Sequence, residues 1–160
     1  MPDSGSKHRP DAQKNLVGFV VGDVHYAIEI SRVREIVNPL DVTPLPHTPD
    51  EIVGVADHRG EVVPVVDLRV RFNLQPKEEE RGTKWILVNI GSHIVGLVVD
   101  SVTDVFGARN DEIRVTPDVG GNRDLRGITG VARHEGKLVF ILDIMRFLEI
   151  IDILSASGAI

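Results

Sequence analysis

The chain has 160 residues, a net charge of −6 and no cysteine, with 42% hydrophobic, 26% charged and 4% aromatic residues. A chain of this length can bury roughly 70% of its unfolded surface, its composition is that of an ordered globular protein, and its acidity argues against nucleic acid as the main partner. Without thiols there is no disulfide, zinc–thiolate site or cysteine nucleophile, and no apolar run reaches the roughly 20 residues that cross a bilayer, so a cytoplasmic protein without membrane insertion is expected.

Residues 1–14 mix Pro, Gly, Ser, Asp and Lys without periodicity and are expected to be a disordered tail. From Leu16, alternation of Val17, Phe19 and Val21, the turn Gly22-Asp23 and the run His25 to Ile30 predict a hairpin. Ser31 can cap a helix, and Val33, Ile36 and Val37 fall at i, i+3 and i+4, which predicts a short helix over 31–37. Three prolines between Val42 and Pro49 predict a stiff surface connection. Ile52 to Asp67 (IVGVADHRGEVVPVVD) reads as strand, Gly-containing turn and strand, and Asp67 caps one helical turn bearing Leu68 and Phe72.

The charged segment QPKEEERGT, residues 75–83, is the expected lobe boundary. Beyond it the order of elements recurs. Trp85 to Val99 predicts a second hairpin, and Asp100 to Phe106 repeats the capped turn of 31–37 at an offset of 69, with Gly22 matching Gly91 and Val33 matching Val102. A loop over 107–125 leads to Ile128–Asp143 (ITGVARHEGKLVFILD), which matches Ile52–Asp67 without a gap at an offset of 76, with eight of 16 positions identical. Such self-similarity is strong evidence of a repeated architecture. Ile144, Phe147, Leu148 and Ile151 predict a C-terminal helix capped near Asp143, with 151–160 as a tail. Residues 15–150 thus form one domain of two small barrel-like lobes. Each lobe has too few strands to bury much alone, so the two must share a core or exchange a strand.

Six histidines offer no HExxH or HxxxH spacing, so no metal site is expected. Asp67 and Asp143 could be taken for a catalytic carboxylate pair, but both stand where a strand enters a helical turn and are better explained as N-caps. GxSxG, P-loop and GxGxxG are absent, and no catalytic residue or cofactor is expected. Gly54 and Gly130 recur before β-branched runs, which points to a bulge or a close backbone approach. Arg59 does not recur, since Glu135 stands at the equivalent place. An arginine in a turn is usually a solvated side chain, but its fork suits a carboxylate, for which Glu35 is the candidate. Pro64, matched by Phe140, also does not recur, and its missing N–H suggests an edge position open to a partner.

The stretch IVGVADHRGEVVPVVDLRVRF, preceded by VTPLPHTP, resembles the CheW family of bacterial chemotaxis adaptors, with their I-x-G-V-x-N-x-R-G-x-x-x-P-V-x-D-L-R pattern. The likeness runs from about Leu16 to Leu148, including V-x-E-I at Val33–Ile36 and G-L-V-V-D-x-V-x-D-V at Gly96–Val105, and departs at Asp57, where the family usually has Asn. The resemblance implies a mainly β fold of two pseudo-symmetric SH3-like five-stranded barrels sharing a core. It also implies a non-catalytic adaptor that couples the cytoplasmic tip of a chemoreceptor to the regulatory domain of a CheA-type histidine kinase, at receptor arrays on the inner membrane. Carried over by position, receptor contacts fall on Val33, Gly54 and Arg59, with Glu35 as the salt-bridge partner of that arginine, and kinase contacts on Ile28, Ile30 and Ile36. A CheW-like module of another signalling assembly and a small ligand-binding or enzymatic barrel remain as alternatives.

Overall fold

The computed structural model describes residues 13–74, 82–115, 127–156 and 158. The lobe-boundary loop, except Gly82 and Thr83, and most of the 107–125 loop lie outside the described residues. The strands are β1 (Gln13–Val21), β2 (Val24–Glu29), β3 (Val33–Val37), β4 (Ile52–His58), β5 (Glu61–Asp67), β6 (Lys84–Ile90), β7 (His93–Val99), β8 (Ser101–Arg109), β9 (Arg114–Val115), β10 (Ile128–His134) and β11 (Lys137–Leu142). Two helices accompany them, α1 (Leu68–Arg71) and α2 (Leu148–Ala156). Gln13 and Lys14, expected in the tail, open β1, and residues 151–156, expected as a tail, belong to α2 and bury Ile151 and Leu154.

The strands form a five-stranded sheet, β3-β6-β7-β5-β4, and a six-stranded sheet, β8-β1-β2-β11-β10-β9. The repeat explains both orders. If β3, β6, β7, β5 and β4 are replaced by β8, β1, β2, β11 and β10, the first order becomes the second apart from the two-residue β9. Each lobe therefore contains the hairpin of the other half of the chain, β6–β7 in the first lobe and β1–β2 in the second, joined by the parallel pairs β5–β7 and β2–β11.

The core has three parts. Ala56, Val63, Val65, Trp85, Leu87, Ile94 and Val98 fill the first lobe, and Leu16, Ala27, Phe106, Ala108, Ala132, Val139 and Ile141 fill the second. A larger cluster joins Phe19 and Ile28 of one sheet to Val66, Ile86, Val88 and Leu97 of the other, and it is closed by Leu68, Phe147 and Leu154 of the helical segments. The lobes thus share a core and exchange hairpins as well.

Two expected short helices are strands. Residues 33–37 form β3, paired with β6 and alternating between half-buried and exposed positions, and the only helical residues nearby are the 3₁₀ turn Ile30–Arg32, which has no side-chain cap. The spacing of Val33, Ile36 and Val37 fits either structure. β-branched residues favour the strand, and one or two helical turns are too short to recover the cost of nucleation, whereas pairing with β6 satisfies the backbone. The same holds for β8, which pairs with β1.

The two aspartates expected as caps do cap. Asp67 Oδ1 accepts from the Arg69 amide at 2.9 Å, and Asp143 Oδ1 from the Met145 amide at 3.0 Å. Pro64 pairs with Val55 of β4 and has no partner on β7, but it is buried, so its missing N–H leaves no surface open to a partner. Its effect is to shorten a ladder. Pairing of β5 with β7 begins only at Val65, whereas β11 pairs with β2 from Val139 through Phe140, the counterpart of Pro64.

Candidate partner-binding site

The turn between β4 and β5 is Arg59-Gly60, with φ of 54° and 83°, a two-residue hairpin that is left-handed at both positions. Asp57 Oδ1 accepts from the Gly60 amide at 2.9 Å, so Asp57 closes the turn and leaves the guanidinium of Arg59 to look elsewhere. Glu135 and Gly136 adopt the same conformation in the second lobe, with φ of 51° and 77°. The strain of a non-glycine residue there thus belongs to the turn, and the side chain is chosen for what it meets.

Arg59 meets Glu35. Its Nη2 donates to Glu35 Oε1 at 3.0 Å while 74% of its side chain stays exposed, leaving guanidinium donors directed to solvent. The other oxygen of Glu35 lies 2.9 Å from His58 Nε2, and an ionised carboxylate can only accept, so His58 donates. The hydrogen bond from His58, helped by the charge of Arg59, holds the Glu35 carboxyl below its ordinary value of 4.5. Arg34 and Glu61, 3.3 Å apart, add a second tie between β3 and the β4–β5 hairpin. Because β3 and β4 are opposite edges of the five-stranded sheet, these contacts show the sheet curling until its edges meet.

The same elements expose apolar side chains, Ile36 of β3 at 41% and Val62 of β5 at 57%. Val33 is half-buried against the shared core. Gly54 is buried, and a Cβ there would stand 2.2 Å from the Thr43 carbonyl oxygen, in the strand-like bridge Thr43–Val55. Its glycine is required by that close approach, at a bulge that recurs at Gly130. It offers a partner no side-chain surface. Of the three isoleucines, Ile30 is 42% exposed beside the crossing between lobes and Ile36 lies on β3, but Ile28 has no exposed surface and belongs to the shared core. Ile28 is therefore corrected from a contact residue to a core residue; an inward position on β2 gives it no other place.

The sequence does not single out His58 or the Arg34–Glu61 pair. A signal for His58 is present in it, because Glu35 and His58 recur as Asp104 and His134 at the two offsets of the repeat. A further pair of buried cations emerges only in three dimensions. Arg71 donates to Glu51 at 2.8 Å and Glu149 at 3.0 Å with its guanidinium 4.0 Å from the Phe147 ring centroid, and Arg69 bridges Asp67 and Asp100. Both are nearly inaccessible and tie α1 to its surroundings.

The CheW-like domain family matches residues 15–152 of the chain. The chain belongs to the CheW-like domain family. Chemotaxis protein CheW of Klebsiella aerogenes is 35% identical over 131 residues, 82% of this chain and 79% of that protein. Protein FrzA of Myxococcus xanthus is 33% identical over 139 residues, 84% of each chain. The crystal structure of the scaffolding protein TtCheW from Thermoanaerobacter tengcongensis superposes with a TM-score of 0.78 at 30% identity, covering 86% of this chain and 92% of that one. The mainly β fold with two sheets and a C-terminal helix is thus that of a CheW-like domain.

Proposed function

We propose that this CheW-like protein is a non-catalytic chemotaxis adaptor that couples a chemoreceptor to a CheA-type histidine kinase. Whole-length similarity to chemotaxis proteins CheW and to a scaffolding protein supports the adaptor role. The observation that carries the receptor-binding reading is the clasp of Glu35, His58 and Arg59. It fixes an exposed guanidinium on the β4–β5 turn against β3, elements that also expose Val62 of β5 and Ile36 of β3. Arginine suits such a position because its fork binds carboxylates and carbonyls with defined geometry, and an arginine already oriented by Glu35 loses less side-chain entropy on binding.

In this reading the receptor tip docks on β3 and the β4–β5 turn, with Ile36, Val62 and the exposed flank of Val33 supplying contact area and Arg59 supplying orientation. Gly54 acts indirectly, by allowing Thr43 to pack over β4. Ile30, beside the crossing between lobes, is assigned to the kinase surface, and Ile36 is shared between the two docking faces. No helix of the described residues is long and apolar enough to cross a membrane, so recruitment to receptor arrays would come from these protein contacts. The test is reconstitution: the chain, a receptor cytoplasmic fragment and a CheA-type kinase should co-sediment as one complex. If the kinase co-sedimented with receptor equally well without the chain, the coupling role would fail.

A further inference from the structure

The repeat places Asp104 and His134 of the second lobe where the first has Glu35 and His58, and the contact is retained. His134 Nε2 lies 3.0 Å from Asp104 Oδ2. What differs is the third member. In the first lobe the guanidinium of Arg59 neutralises the carboxylate, whereas in the second the equivalent turn residue is another acid, Glu135. One ligand atom from each of Asp104, His134 and Glu135 lies within 4.8 Å of the other two. The imidazole is held in place by stacking on Phe106, with ring centroids 3.8 Å apart and planes 8° from parallel. The three line a hollow open to solvent with His25, Thr103 and Lys137, so two carboxylates face one ammonium there and the charge left over is negative.

We infer that Asp104, His134 and Glu135 form a binding site for a first-row divalent cation of the zinc class, in the position that the Arg59 guanidinium holds in the other lobe. Imidazole with carboxylates is a donor set that zinc accepts, with solvent or His25 completing four-coordination. The ligand atoms of a tetrahedral zinc site stand roughly 3.4 Å apart, given bonds of about 2.1 Å. The His134–Asp104 separation is close to that, and only Glu135, on an exposed turn, has to swing inward. HxxxH spacing gives no hint of the site because its ligands come from β8, the end of β10 and the β10–β11 turn, which meet only when the second sheet curls as the first does.

Zinc titration of the full, untagged chain followed by calorimetry tests the site, with thermal melts showing that each variant is folded. Glu135→Arg gives the second lobe the ion pair of the first, and His134→Ala removes the nitrogen ligand. The native chain should bind zinc saturably, and each variant should lose more than the about tenfold that even an outer-shell partner contributes. Arg59→Glu gives the first lobe the same three ligand types and should add a second equivalent. Absence of saturable binding to the native chain, or binding by Glu135→Arg and His134→Ala as tight as native, would overturn the inference.

Discussion

Glu35 and His58 sit on opposite edge strands of the five-stranded sheet, yet Glu35 Oε2 and His58 Nε2 are 2.9 Å apart. The contact ties the two edge strands together through an ionised carboxylate. The Glu35 carboxyl is held below its ordinary value of 4.5 first by the His58 hydrogen bond, so folding favours its ionised form. A group whose folded pKa is depressed stabilises the protein above its unfolded pKa, and that contribution is lost as the pH falls through the folded pKa. Asp104, lowered by the hydrogen bond from His134, acts in the same sense. Urea-unfolding midpoints should therefore fall as the pH drops below about 4.5. The slope should be shallower in Glu35→Gln and shallower again with Asp104→Asn added; an unchanged slope in the double variant would mean that neither pair couples to folding.

A second expectation concerns Gly54, whose φ of 154° and the 2.2 Å approach that a Cβ would make to the Thr43 carbonyl leave no room for a side chain. Gly54→Ala should destabilise by about 2–4 kcal/mol, from backbone strain plus displacement of the Thr43–Val55 bridge. Gly60→Ala, with nothing within 4 Å of its Cβ and φ of 83°, should cost only about 1 kcal/mol. Chemical denaturation distinguishes the two, and equal costs would place the requirement in φ alone.

Much of this is legible in the sequence because the chain states its architecture twice. The matched runs Ile52–Asp67 and Ile128–Asp143 carry both hairpins, both caps and the pseudo-symmetry without reference to coordinates. Residues 31–37 are ambiguous because Val33, Ile36 and Val37 satisfy a helical spacing as well as a strand, and only the pairing with β6 decides. Ile28 is a contact only by carry-over from the family pattern, and the exchange of hairpins buries it in the shared core, while Pro64, expected at an open edge, is buried between Val63 and Val65 on β5. Arg59 and Glu35 are recognisable as a pair from charge and family pattern. The part of His58 is signalled only by the recurrence of Glu35 and His58 as Asp104 and His134, because the contact itself depends on two sheet edges meeting.

Arg71 carries a third expectation. Its guanidinium is buried between Glu51, Glu149 and the ring of Phe147, and Glu149 is largely exposed, so Glu51 is the partner that loses most. Arg71→Met should leave the Glu51 carboxylate half-desolvated and cost about 3 kcal/mol in equilibrium unfolding. A loss below about 1 kcal/mol would mean that solvent replaces the arginine.

Tyr26, the only tyrosine, is stacked on Phe72 at 4.8 Å between centroids, and burial pushes its pKa up to about 12. Here the folded pKa is raised, so the associated stability is complete below the ordinary value of 10.0 and is lost as the pH rises toward about 12. Ultraviolet titration should show no phenolate until well above pH 10 in folded protein, and a normal titration in denaturant. Phenolate appearing near 10 without unfolding would contradict the buried placement.

The receptor-docking assignment stands or falls on Arg59. Titration of a receptor cytoplasmic fragment against the native chain and Arg59→Ala, with melting temperature and kinase binding measured on the same samples, tests it directly. The expected result is receptor affinity lowered by about tenfold or more, with kinase binding retained and the melting temperature within a few degrees of native, since an exposed ion pair contributes little to stability. Receptor affinity unchanged in Arg59→Ala, or lost only together with the fold, would contradict it.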